Sequence, residues 1–248
     1  VTVSASASSS LLLDSLASVA NTDVRPAAEL LAASVAANGV IQAFGTGHSQ
    51  ATALEIAGRA GGLVPTNRLA LADIVQFGGA DPAVLADPML ERSSEVVARL
   101  YELAAPEPQD VFVIASSSGV NASVVEMARV VTSAGHKLVA ITSLQHSSQV
   151  PPRHESGKRL SDLADVTLDN GAPFGDTLLP LPDGSSVGGV SSLTAGLLVQ
   201  MLVAETVRLL LDAGLTPPVY ISNNVPGGYE RNLKLEALYE GRIRRTAS

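Results

Sequence analysis

Apolar residues along this chain come in short solid blocks set between longer stretches of helical periodicity, the pattern of strands buried on both faces and covered by helices. Val40, Ile41, Ala43 and Phe44 form the first block, followed by a turn with Gly45 and Gly47 and a helical stretch closed by Gly61 and Gly62. Val111 to Ala115 and Leu138 to Thr142 repeat it, Ala164 to Leu168 reads as a fourth strand, and Leu63 to Pro65 as a short one. Helices are expected over Leu11 to Ala20, Pro26 to Ala37, Met89 to Ala104, the segment after Ser118 up to Gly135, Ser191 to about Ala213, and Tyr229 to Tyr239.

Between these, Asn67 to Pro88 is broken by Gly78, Gly79, Pro82 and Pro88 and reads as a long loop or lid. The polar run from Ser143 to Leu160 and the Gly- and Pro-rich stretch ending at Gly189 read as further loops, and the Ser/Ala-rich first ten residues as disordered. Alternating strands and helices imply a three-layer αβα sandwich around a parallel sheet, joined by right-handed crossovers. Residues 1–38 then form a helical N-terminal extension, 39–213 the α/β domain, and 214–248 a tail packing on the domain or on a partner subunit.

Composition narrows the function. With 46% hydrophobic and 16% charged residues among 248, the chain has ample material for one buried core. Aromatics are only 3%, so Ala, Val, Leu and Ile must build it. A net charge of -8 gives no general electrostatic reason to bind nucleic acid or an anionic membrane. Cysteine is absent, which removes disulfides, a thiolate nucleophile and thiolate metal ligands, and agrees with a reducing cytoplasm. The longest apolar stretch, Leu193 to Leu211, carries Gln200, Glu205 and Arg208, so it reads as a core helix of a soluble protein. No metal or cofactor is expected: Asp162, Asp165 and Asp169 do not follow a calcium-loop spacing and read as surface or capping residues.

In a doubly wound sheet, ligands bind beyond the carboxyl ends of the strands, where two hydroxyl-rich turns fall. Gly45, Thr46, Gly47, His48 and Ser49 make the first; Ser116, Ser117, Ser118 and Asn121, with Gly119 among them, make the second. Backbone N–H groups opening a helix are unpaired and carry partial positive charge, so serine hydroxyls beside them suit a phosphate. The same glycines and caps would also serve a plain strand-to-helix connection. His48 is the best placed of four histidines for proton transfer. His154, with Arg153, Lys158 and Arg159, lies in a basic loop able to close on an anion, while His136 and His146 read as solvated. Glu55 and Arg59, four apart on one helix face, are either an ordinary surface ion pair or a base and an anion contact. Glu205 is a reserve base, and Asn223, Asn224 and Arg231 read as sugar contacts or turn formers.

FGTGHS, then IASSSGVNA, AITS and ADVTLDNGAP, taken in that order, resemble the sugar isomerase (SIS) domain over roughly Val40 to Leu211. RHESGKRL, DNGAPFGD and SNNVPGGYERN further resemble a bacterial branch of SIS proteins described only by the domain they carry. The resemblance implies a five-stranded parallel sheet, a homodimer or higher oligomer, and a sugar phosphate held by Ser116, Ser118 and Asn121, the last standing where a threonine is common. N-acetylmuramic acid 6-phosphate etherases of this family carry a catalytic glutamate ten residues beyond the first-turn serine, where this chain has Arg59; Glu55 lies one turn earlier. Three functions stay open. One is an enzyme that takes the C2 proton of an amino-sugar 6-phosphate and eliminates or isomerises it. The others are a phosphosugar sensor and an assembly subunit.

Overall fold

Successive side chains on a strand point to opposite faces, so a strand covered on both sides must be apolar throughout. The computed structural model describes residues 3–87 and 89–245, and its central strands obey that rule. They are β1 (Ile41–Gly45), β2 (Thr66–Leu69), β3 (Val111–Ala115), β4 (Lys137–Thr142) and β5 (Val166–Asp169). All pair in parallel, in the order β2-β1-β3-β4-β5. Ile41, Ala43, Val113 and Ile141 face one layer of helices: α1 (Ala5–Val19), α2 (Arg25–Ala36), α3 (Gln50–Ile56) and α8 (Ser191–Asp212). Phe44, Phe112, Ile114 and Leu138 face the other, made of α4 (Asp73–Gln76), α5 (Glu95–Ala104) and α6 (Ala122–Ser133). This is a three-layer αβα sandwich on a five-stranded parallel sheet, with helices at the N-terminus.

The helix α8 is long and apolar enough, by length and composition, to cross a membrane. Its buried residues Ala195, Leu198, Val199 and Leu202 instead recur at helical spacing and lie in one core cluster with Ala27, Ala28 and Leu31 of α2. Small alanines facing it let the two helices approach, which is how so few aromatics suffice.

Several elements differ from the sequence reading. The first ten residues are mostly helical: Ser4 caps α1 by accepting from Ala7 N, and the helix runs on into Leu11, Leu12 and Leu13, good helix formers. Val1 and Thr2 lie outside the described residues, as does Pro88. The second strand begins at Thr66, beyond Leu63 to Pro65, and Leu63 makes only an antiparallel bridge to Val219. The expected loop 67–88 holds most of β2, α4 and a 3₁₀ turn, Pro82–Ala86. The run after Ser143 contains α7 (Leu144–Gln149), and the stretch before Gly189 contains a hairpin of β6 (Thr177–Pro180) and β7 (Ser186–Gly189). His136 is not solvated: it is buried between Tyr101 OH, at 2.9 Å, and the Asp110 carbonyl.

At the amino ends of β1 and β3, one carboxylate holds several elements. Asp110, wholly buried, accepts from Val40 N at 2.8 Å, Gln42 Nε2 at 3.0 Å and Arg242 Nη2 at 2.7 Å. The tail after α9 (Gly228–Ala237) is thereby pinned beneath the sheet. It continues along edge strand β2, where the Asn67 amide bonds Arg242 O and Arg244 N and Arg245 donates to the carbonyls of Val64 and Thr66. Covered this way, the edge offers fewer free groups to another strand.

Removing Asp110 leaves the buried Val40 N–H and Gln42 amide without their acceptor, together about 2–5 kcal/mol, although Arg242 keeps its pairing with Glu107. Asp110→Ala is therefore expected to lower unfolding stability by about that amount in urea titrations, and a loss below about 1 kcal/mol would show that the clamp is not holding the sheet.

Candidate functional site

The strand order reverses between β1 and β3, and their last residues, Gly45 and Ala115, are direct partners. The connections leaving these strands therefore start side by side, about 5 Å apart. Gly45 is required there: a Cβ would lie 2.4 Å from Ser49 O. Gly47 takes a positive φ of 55° and opens a 3₁₀ turn, Gly47–Ser49. The helix α3 that follows has only seven residues, so this turn offers hydroxyls more than a helix dipole.

The second turn is better built for an anion. Ser116 is buried and its Oγ accepts from Gly119 N at 3.1 Å, which closes the turn, while Gly119 has φ +63°. The twelve-residue α6 starts immediately after, with Asn121 at its cap position. Asn121 makes no side-chain cap; its Oδ1 accepts from Arg153 Nη1 at 3.3 Å. Ser117 Oγ is buried without a hydrogen-bond partner. Such an orphan is uncommon, because leaving a buried polar group unpaired costs about 1–3 kcal/mol.

A cleft lies between these turns and the start of α8. Ser49, Thr52, Ser116 and Ser117 line one side, Asn170 and Ser191 the other. About 10 Å3 is open, room for roughly one water, so a sugar would sit above this floor. Larger hollows, of about 820 and 550 Å3, run along α9; Arg231 lines the first, and Arg59, Asn223 and Asn224 line the second, away from the two turns. The sequence reading missed Thr52, Asn170 and Ser191. The DNGAP string that contains Asn170 was the available signal; its Oδ1 accepts from Ala172 N, and the residue lines the cleft.

The remaining candidates fall elsewhere. Gly45, Thr46 and Gly47 shape the first turn, His48 stands exposed on it, and Ser118 is half-buried on the second turn without lining the cleft. Glu55 and Arg59 do not point together at the cleft: Glu55 lies about 9 Å along α3 from Ser49, contacts Arg59, and accepts from Gln200 Nε2 at 2.5 Å. His154 does not close over the turns either. It is buried against α6, with Nε2 donating to Glu126 at 3.0 Å and Nδ1 accepting from Ser156. Glu205 is taken by Arg208, which holds its carboxyl below the usual range. Asn223 accepts from Asn232 and shapes a turn. Asp162 and Asp169 accept from Arg159 N and Leu144 N, while Asp165 accepts from Leu138 N of β4 and pairs with Lys137. Among the described residues no group of three His, Asp or Glu could hold a metal.

The SIS domain family model matches residues 6–143, and the chain belongs to that family. It is 41% identical over 221 residues to a UPF0309 protein of Listeria monocytogenes serovar 1/2a, covering 89% of each chain. A UPF0309 protein of Halalkalibacterium halodurans is 36% identical, with 84% of this chain and 85% of that one covered. Among solved structures, a phosphoheptose isomerase from Francisella tularensis superposes with a TM-score of 0.53 at 16% identity, covering 79% of this chain and 92% of the other, and so shares the fold.

Two outcomes are expected. At Gly119 a Cβ would sit 2.9 Å from Thr142 Oγ1 in a left-handed conformation, so Gly119→Ala should lower stability by about 1–3 kcal/mol in urea titrations. An unchanged midpoint would show the turn to be tolerant. The second concerns Glu126, whose carboxyl is held below its ordinary 4.5 chiefly by the Arg129 hydrogen bond, against burial, with help from His154. A depressed folded value stabilises above pH 4.5 and the benefit fades as pH falls through that folded value. The stability gap between wild type and Glu126→Gln should therefore shrink steadily from pH 5 towards pH 3, as roughly one carboxyl's titration predicts; a constant gap would contradict the pairing.

Proposed function

We propose that this chain binds an amino-sugar 6-phosphate of the N-acetylglucosamine 6-phosphate type at the β1 and β3 strand ends, takes its C2 proton, and completes an elimination. Membership of the SIS family supports a phosphosugar ligand. The observation that carries the reading is the unpartnered, buried Ser117 Oγ on a turn that also presents Ser116 and the first N–H groups of α6. A phosphate oxygen above the cleft would satisfy that hydroxyl and sit where a helix dipole favours negative charge.

In the open-chain sugar the aldehyde makes the C2 hydrogen acidic, so a base can remove it and leave an enediolate-like anion. An N-acetyl group disfavours useful ketose formation, which favours loss of a group from C3 over aldose–ketose isomerisation. A binding-only sensor is the second reading, because the cleft floor holds hydroxyls and an amide and no titratable side chain. The proposal includes a homodimer, for which the exposed Leu54 on α3 and Leu193 on α8 supply apolar surface.

Proton NMR in D2O separates these readings. Elimination gives an unsaturated product, isomerisation a ketose, and binding alone neither product nor loss of the C2–H signal. Ser117→Ala should weaken the sugar phosphate about tenfold, roughly 1.4 kcal/mol, in calorimetric titration while leaving the unphosphorylated sugar unaffected. Equal affinity of wild type and variant for the phosphorylated sugar would remove the phosphate from this turn.

A further inference from the structure

The cleft floor lacks a proton-transfer group, Glu55 is tied to Arg59 and Gln200, and His154 is buried against α6. One carboxylate does reach the turns. Glu91 lies in a short 3₁₀ turn, Leu90–Arg92, and its Oε2 is so close to Gly47 that a Cβ there would be 3.1 Å away. Its backbone is fixed from the other side: Ser123 Oγ, fully buried in the first turn of α6, donates to Glu91 O at 2.5 Å. Glu91 thus spans both strand-end turns, its carboxylate over the first and its carbonyl anchored beside the second. Among the described residues this carboxylate has no ion-pair or hydrogen-bond partner, and the residue is half-buried.

We propose that Glu91 is the general base that removes the C2 proton, a role that rests on the phosphosugar reading above. The geometry of the ligand supports it. The two strand ends lie about 5 Å apart, so a sugar with its 6-phosphate on the Ser116–Ser117 turn could run from C6 to C1 across to the first turn, where Glu91 stands against Gly47. In the step itself a Glu91 oxygen accepts the proton as the C2–H bond breaks. The bonding pair becomes the C1=C2 bond, and the carbonyl pair moves onto the C1 oxygen. Return of a solvent deuteron from the carboxyl to C2 reverses these changes and leaves C2–D. Gly47 belongs in the same account: any side chain there would displace the carboxylate, a second reason for glycine besides its backbone angle.

The test uses this whole chain with three aldose phosphates, N-acetylglucosamine 6-phosphate, glucosamine 6-phosphate and glucose 6-phosphate. C2–H exchange or loss in D2O is followed by NMR, and binding by calorimetry, for wild type, Glu91→Gln, Glu91→Asp and Glu55→Gln. General-base catalysis is worth about 10²–10⁴-fold, so Glu91→Gln should lose at least about a hundredfold in exchange with Kd changed less than about threefold. Glu91→Asp should keep part of the rate, and Glu55→Gln most of it. Wild-type exchange that persists in Glu91→Gln, or that falls only as far as binding falls, overturns the role of Glu91 and leaves the phosphosugar reading standing. Wild-type binding without any exchange overturns the catalytic reading and Glu91 with it, and absence of binding to all three sugars overturns the phosphosugar reading itself.

Discussion

Everything at the candidate site depends on the parallel pairing of β1 with β3, because that contact is where the strand order reverses and where two connections leave in opposite directions. The pairing is held at its far end by Asp110, which accepts from Val40 N and Gln42 at the start of β1 while itself preceding β3. A buried carboxylate sets the register at the amino ends, and five residues later that register puts Gly45 against Ala115. Stability and the geometry of the turns are linked through that distance: the tail residue Arg242 pairs with the carboxylate that aligns them.

The site divides its labour between rigid and looser parts. Ser116, Ser117, Thr52 and Ser191 come from strand ends and helices packed in the core, which would suit the anion contacts proposed for them. His48 and Glu91 come from short turns outside the layers. Groups that must meet a reacting carbon, or exclude water from it, are commonly placed on such segments.

How much of this was legible depended on how local each signal is. β3 and β4, which are apolar at nearly every position, and α8, with its long run of aliphatic residues, were readable to within a residue or two. β2 was not, because TNRL is largely polar; its place on the edge, covered by Arg245 and the amide bonds of Asn67, makes that possible. The hairpin after β5 hid in a Gly- and Pro-rich run although Asp183-Gly184 is a good turn pair. Both hydroxyl turns were visible, since the glycines and serines that build them are contiguous. Which carboxylate approaches them was not, because Glu91 is brought to Gly47 by a contact forty-four positions away in sequence, while Glu55 merely shares the neighbouring helix.

Amide chemical-shift mapping on the labelled protein, titrated with N-acetylglucosamine 6-phosphate, tests the shared pocket most directly. The account predicts that Gly45 to Ser49 and Ser116 to Asn121 shift together, with one affinity. Shifts confined to the hollows along α9, or to only one of the two turns, would contradict it.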